Sequence, residues 1–223
     1  MPRRTLPLIN DQYYHIFNRG INRSPTFLSK NDYLKAIETF SYYQYQNPPF
    51  KLSRFNTFSG EERQKHLQNI KDNLPKLIEI NSFCLMPNHF HFLIKQNTEA
   101  GISIFIKNFT NSYTRYYNIL HDRNGPLFGI QFKAVLIESI EQLLHVNRYI
   151  HLNPYTAYLL KDVSEIINYP WSSMSEYLAE EGGVCEKEIV LGQFSSKDTY
   201  QNFVLNQADY QRTLSSVKHL IIE

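Results

Sequence analysis

The chain has 223 residues, of which 42% are hydrophobic and 20% charged, and its formal net charge at pH 7 is +2. This length is enough to bury a core and predicts one domain with an appendage, while the near-neutral charge means that any nucleic-acid binding must rest on local basic patches. No apolar run approaches the roughly 20 residues of a membrane span, the N-terminus lacks the apolar core of a signal peptide, and the two cysteines form no metal or redox motif, which predicts a cytoplasmic protein with no membrane association.

The first third of the chain predicts a strand, a helix and an inserted segment. Residues 12–20 are rich in aromatic and branched side chains and stop at a glycine, which predicts a strand that ends in a turn. Ser29 has the residue type of a helix N-cap and predicts a helix that runs up to the next pair of prolines. The segment 48–75 has the character of an insertion. Within it, Ser59 and Glu62 form the capping-box pattern of a short, highly charged helix.

A hairpin and a long helix come next. Two strands, 76–86 and 89–96, are separated by Pro87 and Asn88 alone, which predicts a tight antiparallel connection. Residues 102–121 repeat apolar side chains at steps of three and four, which predicts an amphipathic helix.

The remaining elements complete a recognisable order. Residues 131–139 predict a strand, and 140–153 predict a helix that Pro154 would stop. Strand, helix, hairpin, helix, strand, helix is the order of the α+β class in which helices pack on a ferredoxin-like antiparallel sheet. We therefore expect residues 1–160 to form one domain of this kind, with 161–223 as a C-terminal helical extension packed on the same core.

Two histidines in the hairpin are the first candidate for chemistry. Strand side chains alternate, so His89 and His91 point to one face while Phe90 and Phe92 point to the other. The Cα atoms of the two histidines should lie about 6–7 Å apart, close enough for both rings to bind one ion. An H-x-H pattern is short, and the alternative that both rings only hydrogen-bond their neighbours stays open.

A second polar group lies on the last predicted helix. Tyr149 and Asn153 are four residues apart and share a helix face, with His145 one turn before them. The alternative is that Tyr149 is a core aromatic with its hydroxyl satisfied, and that Asn153 is a helix-end residue before Pro154. Each residue alone favours that alternative, whereas the two constellations together favour a site.

The ordered motifs of this chain resemble those of the single-tyrosine HUH transposases, in particular the branch associated with repetitive extragenic palindromes (REP). The motifs that carry the resemblance are FNRG (17–20), MPNHFHF (86–92), GPLFGIQFKA (125–134), RYIHLNP (148–154) and YPWSS (169–173). The resemblance implies the HUH endonuclease fold. It also implies a metal-dependent single-stranded DNA endonuclease and strand transferase, which cuts near hairpins through a 5′-phosphotyrosine intermediate.

The resemblance also implies roles for single residues. It makes His89 and His91 the metal pair, Asn153 a polar third ligand and Tyr149 the nucleophile, with Mg²⁺ or Mn²⁺ as the cofactor. Imidazole ligands lead us to expect that Mn²⁺ binds more tightly than Mg²⁺. The candidate DNA contacts, taken from segments near the DNA in relatives and from basic side chains on the predicted elements, are Asn18, Arg19, Lys107, Arg115, Arg123 and Lys133.

The implied partner is single-stranded DNA that contains hairpin, palindromic elements, which would make the cytoplasmic protein nucleoid-associated. One tyrosine per chain favours a homodimer, but the REP-associated branch includes monomers, so a monomer stays open. Two other functions also stay open. One is a catalytically inactive relative that binds hairpin DNA. The other is an unrelated metal hydrolase that uses the H-x-H pair with water as its nucleophile, although the hairpin lacks a carboxylate-rich ligand set.

Overall fold

A computed structural model describes residues 7–180 and 182–213. Within these residues a four-stranded antiparallel sheet forms the centre, in the spatial order β2-β3-β1-β4. Its strands are β1 (Tyr13–Arg19), β2 (Ile78–Met86), β3 (His89–Gln96) and β4 (Lys133–Ile137). This is the strand order of the ferredoxin-like class, and the predicted fold class is confirmed.

The helices of the described part of the chain connect and cover this sheet. They are α1 (Lys30–Tyr43), α2 (Leu52–Phe55), α3 (Gly60–Asn73), α4 (Gly101–Leu120), α5 (Ile140–Thr156), α6 (Met174–Leu178), α7 (Glu188–Leu191) and α8 (Lys197–Leu205), with short 3₁₀ turns at Ile21–Arg23 and Val163–Asn168. Ser29 caps α1 and Ser59 caps α3, each through a capping box. Both predicted caps are therefore confirmed. Capping boxes form because they satisfy the first backbone N–H groups of a helix, which have no partner within the helix. None of the helices in residues 7–180 and 182–213 is long and apolar enough to cross a membrane.

The two faces of the sheet have different coverings. On one face, Phe92 lies 5.1 Å from Phe40 of α1 and 5.8 Å from Phe109 of α4, measured between ring centroids. Phe90 lies 5.2 Å from Phe109, so α1 and α4 together bury the phenylalanine side of the hairpin. The opposite face carries the histidines and is covered by α5. Burial of these aromatic rings supplies much of the apolar area that holds the sheet to its helices.

The predicted end of α5 at Pro154 is wrong, because the helix continues to Thr156. A proline has no backbone N–H, so within a helix it removes one hydrogen bond. Near the C-terminus the loss is tolerated, because the last carbonyl groups of a helix need partners from outside it in any case. Here Ala157 N–H donates to the carbonyl of Asn153 at 2.9 Å, and Leu159 N–H donates to that of Pro154 at 3.0 Å. These two bonds close the helix beyond the proline.

Residues after 160 pack along the outer edge of β2. Ser173 N–H donates to the carbonyl of Phe83 at 3.0 Å, and the hydroxyl of Tyr177 donates to the carbonyl of Asn81 at 2.7 Å. Bonds of this kind satisfy an edge strand that would otherwise offer its backbone to other chains. The division of the chain at residue 160 stays a prediction, and residues 214–223 of the predicted extension lie outside the described part.

The segment 48–75 contributes α2 and α3. These helices share a small apolar cluster with the end of α1, separate from the main core. Its buried members are Tyr42, Tyr45, Leu52, Phe55 and Ile70. The segment is thus held on the α1 side of the molecule, away from the histidine face.

Candidate active site

The register of the sheet brings the two hairpin histidines together on the face that α5 covers. His89 lies opposite Arg19 of β1, and His91 lies opposite Phe17. The two imidazole centroids are 5.1 Å apart and the ring planes are nearly perpendicular, at 83°. Both rings therefore open toward the same side of the sheet, as strand alternation predicts.

Tyr149 of α5 lies against one member of this pair, His91. Its ring centroid is 5.6 Å from that of His91, with an angle of 87° between the ring planes. The residue as a whole is 37% exposed. The structure thus joins the two constellations that the sequence singled out on separate elements.

Each histidine has a hydrogen-bond partner at its Nδ1 atom. His91 Nδ1 lies 2.9 Å from Nε2 of His15, and His89 Nδ1 lies 2.6 Å from Oδ1 of Asn88. Within the described residues no hydrogen bond occupies Nε2 of either histidine. Metal-binding histidines commonly use one ring nitrogen for the ion and fix the other by such a partner, so this donor set fits a divalent cation.

Burial keeps the three histidines of this face uncharged at neutral pH. It lowers the pKa of His15 and of His89 to about 4, with the charge of Arg19 adding to the effect at His89. It also lowers the pKa of His91 well below its usual value, and His15, His89 and Arg19 act in the same direction. Transfer of an imidazolium ion out of water is unfavourable, which explains the direction. Neutral imidazole is the form that binds metal ions.

Asn153, the third predicted ligand, lies one helical turn beyond Tyr149 on α5. The Nδ2 atom of its side-chain amide donates to the carbonyl oxygen of Tyr149 at 3.2 Å. Its Oδ1 atom is then the one that could act as a metal ligand. Asn153 also affects the phenol. Burial raises the pKa of Tyr149, whereas a hydrogen bond with Asn153 and the positive charge of Arg19 lower it. The hydroxyl is therefore protonated at pH 7, and two neighbours favour its ionised form.

No cluster of three or more His, Cys, Asp or Glu side chains in residues 7–180 and 182–213 is arranged to hold an ion. The candidate ligands remain the two imidazoles and the amide oxygen that the resemblance implied, and the other positions of a coordination sphere would fall to phosphate or water oxygens. Mg²⁺ prefers an oxygen-rich sphere of this kind, and Mn²⁺ accepts imidazole more readily. Both ions of the sequence prediction remain consistent with these residues.

His15 is the site residue that sequence reasoning missed. It comes from β1, and its ring centroid lies 5.1 Å from that of His91 and 5.8 Å from that of Tyr149. The signal that could have found it is the alternation of β1, which puts His15 on the same face as Arg19. Pairing of β1 with β3 was needed to bring that face next to the hairpin.

The predicted DNA contacts divide between the two faces of the sheet. Arg19 and Lys133 are exposed, and Lys133 pairs with Phe17, so both lie on the histidine face. Asn18 points to the other face, where its buried amide donates to the carbonyl of Gly129 at 3.0 Å. That bond holds the loop before β4.

The other three predicted contacts belong to the α4 side. Lys107 and Arg115 are exposed on α4. Arg123 follows the helix and donates to the side chain of Asn118 at 3.0 Å and to the carbonyl of Pro126 at 2.9 Å. These residues are therefore separated from the candidate active site by the thickness of the sheet.

His145, which the helix pattern put one turn before Tyr149, is bound elsewhere. Its Nδ1 atom lies 2.6 Å from the Arg148 guanidinium, which itself stacks on the ring of Phe203 in α8. This residue therefore belongs to the contact between α5 and α8.

Comparisons with known proteins bear on the family and the fold of the chain. The family model described as "Transposase IS200 like" matches residues 50–153. The chain is also similar to a solved structure of a REP-associated tyrosine transposase bound to a REP hairpin, with a TM-score of 0.53 and 15% sequence identity, over 83% of this chain and 94% of that chain. At this identity the likeness concerns the fold. No curated protein matches the chain.

Proposed function

We propose that this chain, whose residues 50–153 match the model described as "Transposase IS200 like", cuts and rejoins single-stranded DNA next to hairpins. The resemblance to single-tyrosine HUH transposases is confirmed by that match and by the shared fold. The observation that carries the proposal is the 5.6 Å contact between the rings of Tyr149 and His91, beside His89. The hairpin bound in the similar structure supports a hairpin as the DNA partner here.

Tyr149 would act as the nucleophile. Its phenolate oxygen attacks the phosphorus of a phosphodiester, the bond from phosphorus to the 3′ oxygen breaks, and that oxygen takes up a proton as a free 3′-hydroxyl. The other fragment stays on the protein as a 5′-phosphotyrosine. A later 3′-hydroxyl can attack this ester and release Tyr149, so DNA is rejoined without another energy source.

The phenol needs its neighbours for this step, because burial raises its pKa. Asn153 and Arg19 both stabilise the phenolate, one by a hydrogen bond and the other by its charge. Packing against His91 fixes the direction of the ring, and alignment of a nucleophile can lower a barrier by several kcal/mol, on the order of 7–11 in the best cases. The protein would thus contribute both orientation and charge.

Nε2 of His89, Nε2 of His91 and Oδ1 of Asn153 are the atoms that would hold Mg²⁺ or Mn²⁺. A bound divalent cation supplies charge stabilisation at the non-bridging phosphate oxygens and helps align the phosphate. We expect Mn²⁺ to bind more tightly, since two of the three ligands are imidazoles.

The DNA would lie with one unpaired phosphate between Tyr149 and the histidines. Arg19 and Lys133 are the cations of that face and would contact neighbouring phosphates. A second basic surface lies on the α4 side, where a cavity of about 710 Å³ is bordered by Lys35 and Arg115. With one nucleophile per chain, we propose a homodimer for events that need two cuts.

A second candidate function is hairpin binding without cleavage. The observation that favours it is the raised pKa of Tyr149, since a protonated phenol is a weak nucleophile. The third possibility from the sequence, a water-using metal hydrolase, finds less support because the site is poor in carboxylates within the described residues.

One experiment separates the three. The protein is incubated with a labelled single-stranded hairpin oligonucleotide and Mn²⁺, and the products are run on a denaturing gel. We expect a covalent protein–DNA adduct that Tyr149→Phe abolishes and that the control Tyr158→Phe, at an exposed tyrosine, retains. Binding without adduct in the wild type would favour the inactive relative, and cleavage that survives in Tyr149→Phe would favour the hydrolase.

A further inference from the structure

We propose that His15 is a positioning residue that fixes His91 in the tautomer able to bind the metal ion. The inference rests on the proposed function, because it assigns His91 as a ligand. Its basis is the 2.9 Å contact between Nε2 of His15 and Nδ1 of His91. No role for His15 followed from the sequence motifs.

The packing around His91 leaves its ring little freedom. The rings of His15 and His91 are stacked, with centroids 5.1 Å apart and an angle of 21° between their planes. The ring centroid of Phe17, which lies on β1 with His15, is 5.0 Å from that of His15 and 5.5 Å from that of His91. Phe17 therefore packs against both imidazole rings. Tyr149 closes the group, edge-on to both histidines. His91 is 5% exposed, and rotation of its ring would require these neighbours to move.

The position of one proton decides whether His91 can bind a cation. Two neutral imidazoles in this contact share a single proton between His15 Nε2 and His91 Nδ1. If His91 donates, its Nε2 keeps a lone pair that can face a metal ion. If His15 donates, the His91 proton lies on Nε2 and blocks the ligand position. Metal binding therefore requires Nε2 of His15 to accept a hydrogen bond from Nδ1 of His91, with the proton of His15 on its own Nδ1.

His15 is a supporting residue and not a third ligand. Its Nε2 atom is occupied by His91, and the described residues contain no group of three histidines or acids that could share an ion. The arrangement matches that of His89, whose Nδ1 is bound by Asn88. In both cases a neighbour takes up Nδ1 and directs Nε2 outward, which is how outer residues orient metal-binding histidines.

The first test uses the wild-type protein without metal. Long-range ¹H–¹⁵N NMR spectra of the imidazole rings distinguish a proton on Nδ1 from one on Nε2. We expect His91 to carry its proton on Nδ1 and His15 to carry its own on Nδ1 as well. A proton on Nε2 of His91 in the folded protein would overturn the inference.

The second test measures Mn²⁺ affinity by titration calorimetry in three variants. His15→Gln keeps an acceptor atom and should bind Mn²⁺ nearly as well as the wild type. His15→Phe keeps the ring but has no acceptor, and we expect affinity to fall about 10- to 100-fold, as for other outer-residue substitutions. His66→Phe, the same change in α3, is the matched control and should bind like the wild type. Unchanged affinity in folded His15→Phe, or equal losses in the Gln and Phe variants, would contradict the proposal.

These measurements do not depend on DNA cleavage. If Tyr149→Phe retains cleavage, the proposed nucleophile is wrong, yet the tautomer of His91 and the effect of His15→Phe on Mn²⁺ affinity can still support the inference. If the NMR result or the affinities fail while the covalent adduct forms, the inference is wrong and the proposed function stands. Should His15→Phe fail to fold, the wild-type spectrum and His15→Gln still decide the matter.

Discussion

The ring of Tyr149 is almost perpendicular to that of His91, and their centroids are 5.6 Å apart, although the two residues belong to α5 and β3. Arg19 reaches the same group from β1, and its charge lowers the pKa of the phenol and of both hairpin histidines. Three elements far apart in the chain therefore share one electrostatic environment.

Replacement of Arg19 by Gln should shift the pH dependence of cleavage. Loss of the positive charge raises the pKa of Tyr149, so a smaller fraction of the phenol is ionised at a given pH and the alkaline rise of the single-turnover rate should move to higher pH. Arg19→Lys keeps the charge and should retain the wild-type profile. Superimposable profiles for wild type and Arg19→Gln would show that this charge does not act on the nucleophile.

The three candidate ligands should differ in how much Mn²⁺ affinity they provide. His89→Ala and His91→Ala each remove a direct ligand, so we expect losses larger than the roughly 10- to 100-fold of an outer-residue change. Asn153→Ala removes a neutral oxygen and should cost less, whereas Asn153→Asp supplies a carboxylate and should strengthen binding. Calorimetric titration of the folded variants measures the order, and an Asn153→Ala variant weaker than His91→Ala would contradict it.

Charge reversal distinguishes the two basic surfaces. Lys133→Glu lies on the histidine face and should weaken binding of an unpaired oligonucleotide, whereas Arg115→Glu on the α4 side should leave that binding nearly unchanged. A lost phosphate contact reduces the slope of log affinity against log salt by about 1. Fluorescence anisotropy at several salt concentrations gives this slope, with Lys65→Glu in α3 as a control. A larger effect of Arg115→Glu on the unpaired strand would place the DNA on the other face.

Tyr177→Phe should destabilise the fold. The hydroxyl of this fully buried tyrosine donates to the carbonyl of Asn81 at 2.7 Å and accepts from Asn147 at 3.1 Å, so its loss leaves two buried groups without a partner. We expect the free energy of unfolding to fall by about 1–3 kcal/mol. Tyr210→Phe, at a residue that is 63% exposed, should change it by less than about 0.5 kcal/mol. Urea unfolding measures both, and equal values for the two variants would contradict the prediction.

The free energy of unfolding should fall as the pH drops below the ordinary pKa of histidine. Burial lowers the pKa of His151 to about 3, while in the unfolded chain it should be near 6.5. Between these values the unfolded state binds more protons, so acidification from about pH 6.5 toward pH 3 favours unfolding. His15 and His89, whose pKa values are lowered to about 4, act in the same direction. The unfolding free energy measured against pH should have a shallower slope in His151→Gln, and an unchanged slope would exclude this residue as a contributor.

The features that sequence predicted well depend on local interactions. Ser29 and Ser59 cap their helices because the partners that complete each capping box lie three residues away. The hairpin forms because only Pro87 and Asn88 separate its two strands. Alternation along β3 likewise put both histidines on one face without knowledge of the rest of the sheet.

The features that it missed depend on distant pairing. His15 and His91 are 76 residues apart, and their contact follows from the position of β1 beside β3. Asn18 and Arg19 are neighbours in the FNRG motif, but adjacent residues of a strand point to opposite faces of the sheet. The two side chains therefore cannot both face one ligand. Pro154 shows the reverse case, where a local rule predicted a helix end that later hydrogen bonds overruled.

Tyr200 links the end of the described chain to the helix that carries the candidate nucleophile. Its hydroxyl lies 2.7 Å from both Oδ1 of Asn147 and Nδ1 of His151, so α5 is fastened from behind by α8. During synthesis, therefore, the phenol of Tyr149 should reach its final setting only after Tyr200 has left the ribosome. A nascent chain would form the complete sheet before it aligns the reactive phenol, and we expect DNA cleavage to begin only after α8 has been synthesised and has packed on α5.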